Sequence, residues 1–138
     1  MSSPSRWIAA MFMAALVASL AVAAPTQAHK RLYNASTTFN LNKVSGGDSA
    51  SGQVSSKGMC LGGRAVVVFE DVSTTVSGDI TEIGRTLTTS TGAWSLAVQG
   101  GIKKDRTYFA QISKRKVVDN RKHKHTCKGA TSPTAVGA

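Results

Sequence analysis

Two cysteines, Cys60 and Cys127, are the only ones in this 138-residue chain, and they stand 67 positions apart. No CxxC spacing marks them as a redox or metal pair. In an oxidising compartment an even count reads as a disulfide framework, and two cysteines allow one intramolecular bridge. Loop closure on that scale removes about 4 kcal/mol of unfolded-state entropy, which rivals the net stability of a small domain. Two free thiols, or a metal pair, are the alternative. The compartment therefore bears directly on how the chain folds.

The N-terminus speaks to the compartment. Arg6 is the only charge ahead of an apolar run from Trp7 to Ala24, broken by Ser19 alone, and "APTQAHK" closes it. A positive start, an apolar middle and small exit residues describe a secretory signal peptide. Small side chains at −1 and −3 fit cleavage after Ala28, with Thr26 at −3, or after Ala23, with Ala21 at −3. An uncleaved anchor helix is the rival, since a run of about 18 residues nearly spans a bilayer. Alanine drives insertion poorly, however, and Pro25 ends the helix at once. The expectation is a signal peptide over 1–28 and a secreted, extracellular remainder without a further transmembrane segment.

Residues 29–138 suffice for one domain with one modest core. Of 17 Lys and Arg only Arg6 falls in 1–28, so 16 remain against seven acids, a net of +9. Such a balance bears on solubility and attraction to anionic surfaces, not on fold. Outside a cell those surfaces are phospholipid head groups, acidic polysaccharide, wall polymers or free DNA.

The exported part reads as β throughout. Turn residues recur at short intervals and no apolar pattern persists at helical period. Residues 29–50 hold a first strand, "STTFNLNK", with Phe39 and Leu41 on one face. Residues 51–136 form the domain proper. Val54 marks a short strand, and "KGMCLGG" is a glycine-bounded turn carrying Cys60. "RAVVVFE", apolar on both faces, reads as the central strand. "DVSTTVSGD" is a polar connection. Ile80, Ile83 and Leu87 follow in a strand that Gly84 bends. Trp94, Leu96 and Val98 share a face, as do Tyr108, Ala110 and Ile112. Trp94 is placed in the core facing Tyr108 and Phe69. "CKGATSPTAV" supplies a last edge strand, and the final "GA" frays. About seven strands at this spacing predict a single antiparallel β-sandwich, with a closed barrel as the alternative.

The segments "SGQVSS", "GRAVVVFED", "GRTLTTSTGAWSLAV" and "RTYFAQI" carry a likeness. Their Gly-x-Val strand, Val-rich central strand, turn-to-aromatic strand and Tyr-x-Ala strand resemble prealbumin-like, carboxypeptidase-regulatory-like (Ig-like) sandwiches. The pattern is similar to small secreted bacterial proteins with one Cys in the first turn and a second near a basic final hairpin. It covers residues 51 to 136. The resemblance implies an accessory, binding or adhesive module. The chain lacks the C-terminal Tyr-Arg-Gly-Ser signature and the His-rich strand of the purine-catabolism branch, so no functional residue is carried over.

Candidate chemistry is sparse. Nucleophilic catalysis needs a nucleophile, a base and an orienting group converging, yet no Ser sits in a Gly-x-Ser-x-Gly elbow. Glu70 and Asp71 are adjacent, so on a strand they point to opposite faces, and they read as solvated strand-end charges. No catalytic residue and no cofactor is assigned; a hydrolase with an unrecognised site is a distant alternative. His123 and His125, two apart on an extended segment, project to one side. With His29, which cleavage after Ala28 makes the N-terminus, they are the alternative set for an extracellular copper-binding protein. Lys122, Lys124 and Lys128 crowd that set with positive charge, and the blander reading is two solvent-exposed histidines. "NAS" at Asn34–Ser36 is a glycosylation sequon only in a host with that machinery.

The basic stretch is the remaining positive feature. From Lys103 to Lys128 ten Lys or Arg face two acids, Asp105 and Asp119. Lys114, Arg115, Lys116, Arg121, Lys122, Lys124 and Lys128 are the candidate contacts for an anionic polymer, membrane or cell-wall surface. Specific nucleic-acid reading wants stacking aromatics or a groove-entering helix, and residues 113–128 offer neither. The rival is a solubilising loop whose charges discourage edge-strand pairing. With Cys127 bridged to Cys60, either role is played by an anchored hairpin and not by a loose tail.

Overall fold

The structure is a computed structural model that describes residues 30–72, 79–120 and 123–138. The expected signal segment, His29, most of the polar connection after Asp71, and Arg121 and Lys122 lie outside the described residues. Along the described chain run twelve strands: β1 (Arg31–Tyr33), β2 (Ser36–Thr37), β3 (Asn40–Asn42), β4 (Ser49–Ser55), β5 (Ala65–Asp71), β6 (Ile80–Leu87), β7 (Ala93–Ala97), β8 (Thr107–Ile112), β9 (Arg115–Asn120), β10 (His123–Cys127), β11 (Ala130–Thr131) and β12 (Ala135–Val136). One 3₁₀ turn, Gly58–Cys60, interrupts them. The protein is all-β, and no helix among the described residues is long and apolar enough to cross a membrane.

The strands form three sheets. A five-stranded sheet runs β6–β5–β8, with both β11 and β12 on the far edge of β8. A four-stranded sheet centres on β4, flanked by β2 and β3 on one side and β7 on the other. A three-stranded sheet is ordered β1–β10–β9. All pairings are antiparallel except β1 with β10. The single antiparallel sheet pair of about seven strands thus needs amending to more and shorter strands, a third sheet and one parallel pairing. Pro133 shows one reason for the shortness. Proline cannot donate to a ladder, so the last strand breaks into β11 and β12. At the break the Ala110 amide donates to Ser132 Oγ at 2.8 Å instead.

Period-two alternation places the core. In β5 Val66, Val68 and Glu70 point inward, and in β8 Tyr108, Ala110 and Ile112 do the same. They meet Ala50 and Val54 of β4 and Trp94 of β7 in one buried cluster. Each such aliphatic contributes about 1.5–3 kcal/mol on burial. Two sheets closing on one core is the arrangement of a β-sandwich, and β5 is central as expected, lying between β6 and β8. Trp94 stands opposite Gly52. A Cβ at Gly52 would come within 2.6 Å of the Trp94 ring and 2.1 Å of the Thr38 carbonyl, so only glycine fits there.

Three local expectations are corrected. Trp94 belongs to the core, but its ring neighbour is Phe39, at 6.0 Å, and its indole N–H donates to Thr37 Oγ1 at 3.1 Å. Phe69 lies on the outer side of its sheet, stacked on Phe109 at 5.3 Å. The β5–β6 register shifts between Val68 and Phe69, so Ile83 of β6 has no direct partner and turns toward the core. Ile80 and Leu87 pair with Asp71 and Ala65 on the outer face and are exposed. The C-terminal end is also held: the Gly137 amide donates to Arg106 O at 2.8 Å and its carbonyl accepts from Asp105 N at 3.0 Å.

Candidate functional site

The basic stretch folds as the antiparallel hairpin β9–β10, and β1 joins it in parallel. Cys127 pairs with Arg115 and Tyr33, His125 with Val117 and Arg31, Thr126 with Lys116 and Leu32, and Lys124 with Val118. Paired residues share a face, so this small sheet has two distinct sides.

One side faces the disulfide. Cys60 and Cys127 are bonded, with Cα atoms 5.5 Å apart, and both are fully buried. Tyr33 tilts against His125 with ring centroids 5.5 Å apart. His123 and His125 stack nearly parallel at 6.2 Å. Arg115 Nη1 donates to the Gly62 carbonyl. Next to it Gly63 takes φ +64°, and a Cβ there would sit 3.0 Å from that same Nη1.

Beside the bridge lies a side chain that sequence reading passed over. Arg64 is 1% exposed. Its guanidinium donates to Cys60 O at 3.0 Å, to Lys128 O at 2.6 Å, and to Ser113 O at 3.1 and 2.7 Å. One planar fork thereby ties together the turn carrying Cys60, the end of β8 and the end of β10. Burial, and then the positive charge of Arg115, hold its pKa below the ordinary value, but an Arg remains charged. Its partners are neutral carbonyls.

The other side is open. Lys30, Leu32, Lys116, Val118, Lys124 and Thr126 line a groove of about 640 Å³, whose wall also takes in Arg31, Val117 and His125 of the disulfide side. Leu32 is 66% exposed and Val118 63%, while Lys30, Lys116 and Lys124 are exposed around them. Among the described residues no Asp or Glu lines the groove, and no ion pair engages these three lysines.

The seven candidate cations therefore separate. Lys116 and Lys124 share the open face. Arg115 turns to the disulfide side. Lys114 and Lys128 are exposed beyond the strand ends, and Arg121 and Lys122 lie outside the described residues. Leu32 of β1 and Lys30 just before it join the face, which no local pattern announces.

Two further expectations are corrected. His125 is 7% exposed, not solvated, and its Nδ1 has no hydrogen-bond partner among the described residues. His123 lies beside it, but no group of three or more His, Cys, Asp or Glu is placed to hold a metal among the described residues. Glu70 and Asp71 do point to opposite faces, yet Glu70 is 6% exposed. Its carboxylate sits between Lys103 Nζ at 3.5 Å and Arg106 Nε at 3.7 Å. These cations lie on the loop before β8 and neutralise a charge that enters the core.

No family model, curated protein or solved structure matches this chain.

Proposed function

We propose that this chain is an exported, non-catalytic β-sandwich module whose basic end contacts anionic surfaces. The observation that carries the reading is the open face of the β1–β10–β9 sheet, where Lys30, Lys116 and Lys124 stand together with no lining acid among the described residues. Charge of one sign on a fixed face attracts a polyanion over roughly a Debye length, about 8 Å at physiological salt. The intramolecular disulfide supports the exported setting. A non-catalytic role is supported by how polar groups are spent: Glu70 is buried between two cations and Arg64 is committed to backbone carbonyls. The prealbumin-like, carboxypeptidase-regulatory-like assignment belongs to the same proposal, supported by the core alternation of β5 and β8.

The test is adsorption to envelope material and to dextran sulfate at low and high salt. Counterion release makes such binding fall steeply as salt rises. A Lys116→Gln/Lys124→Gln variant elutes at lower salt than the unsubstituted protein. Binding that is indifferent to salt, or unchanged in this variant, contradicts the reading.

A further inference from the structure

We infer that the open face docks on an anionic phospholipid bilayer, with Leu32 and Val118 entering the headgroup region between Lys30, Lys116 and Lys124. This rests on the reading of the basic end as an anion contact and names its partner. A contact with acidic polysaccharide needs cations alone. Here two aliphatic side chains, each about two-thirds exposed, stand on the same face as the lysines. By register Val118 lies opposite Lys124, and Leu32 opposite Thr126 on the far side of β10. The apolar residues thus occupy both outer strands, and Lys124 and Thr126 occupy the strand between.

A bilayer interface supplies a partner for each group. Lipid phosphates take the ammonium groups, and the headgroup–acyl boundary takes Leu and Val. Lysine stems can lie along apolar surface while their charged ends stay in the polar layer. The backbone of the face is already set as paired strands before contact. The Cys60–Cys127 bond and the Arg64 fork secure the sheet from its other side, so docking costs little backbone entropy and orders chiefly the lysine side chains.

The experiment uses the protein purified as its cells process it. It is sedimented with phosphatidylcholine vesicles and with vesicles containing phosphatidylglycerol, and its binding to dextran sulfate is measured in parallel. Retention on the phosphatidylglycerol vesicles alone is expected. A Leu32→Ser/Val118→Ser variant should lose about tenfold in vesicle partition while dextran sulfate binding stays within about twofold. Both positions are exposed, so its thermal midpoint should stay close to the parent's. A Val118→Trp variant adds a second readout: its emission should move to the blue on anionic vesicles and stay in place on dextran sulfate. Equal vesicle binding by the serine variant, or an unmoved Val118→Trp emission on vesicles, overturns the lipid inference. So does binding to dextran sulfate without binding to vesicles, an outcome that leaves the broader reading standing. Failure of the unsubstituted protein to bind either partner refutes both.

Discussion

The two halves of this molecule are held by different physics. The five- and four-stranded sheets meet over an apolar cluster of Ala, Val, Ile, Trp and Tyr. The three-stranded sheet buries instead a half-cystine, a histidine and the ends of backbone strands capped by one arginine. Its strands are short, and β1 contributes three residues. A sheet of that size is marginal without support. Stability therefore resides in different places: the sandwich rests on area removed from water, the basic sheet on a covalent bond and a buried fork of hydrogen bonds.

Breaking the covalent half of that contrast should have the largest effect. Cys60→Ser/Cys127→Ser is expected to lower stability by about 4 kcal/mol. In hydrogen exchange, amides of β1, β9 and β10 should open well before those of β5 and β8. A uniform loss of protection across both regions would erase the distinction. Next in size is Arg64→Met, which keeps much of the volume but leaves the carbonyls of Cys60, Ser113 and Lys128 without their donor. A loss of about 3 kcal/mol in chemical denaturation is expected, again opening the basic sheet first. A neutral result would mean that relief from burying the cation offsets the lost hydrogen bonds. Smallest is Trp94→Phe on the sandwich side, which removes the bond to Thr37 Oγ1. It should cost about 1 kcal/mol and leave protection of β10 unchanged.

The same division decides what could be read from the sequence. Tyr108 with Ala110 and Ile112 were legible because a strand buries every second residue and the pattern is written locally, whereas the run from Val66 to Phe69 is apolar on both faces and marked β5 as central without saying which face is buried. The bridge was legible because two cysteines leave one pairing. The face carrying the proposed contact was only half legible. Lys116 and Lys124 stand in an evident basic stretch, but Leu32 reaches them through a parallel pairing with residues more than 90 positions away. Arg64 was invisible for a similar reason: its acceptors at Ser113 and Lys128 lie 49 and 64 residues along the chain. Glu70 reads as a strand-end charge until Lys103 and Arg106 fold back over it. Ile80 and Leu87 looked like core because a bulge that shifts the register by one residue has no reliable local signature.

In the proposed contact one face of the disulfide-held sheet, and not the net charge of the molecule, meets the anionic surface. Lysine-modification footprinting by mass spectrometry, with and without phosphatidylglycerol vesicles, tests it most directly. Lys30, Lys116 and Lys124 are expected to become protected from acylation while Lys43, Lys57 and Lys104, exposed elsewhere, react as before. Equal protection of both sets, or protection of the second set alone, would contradict it.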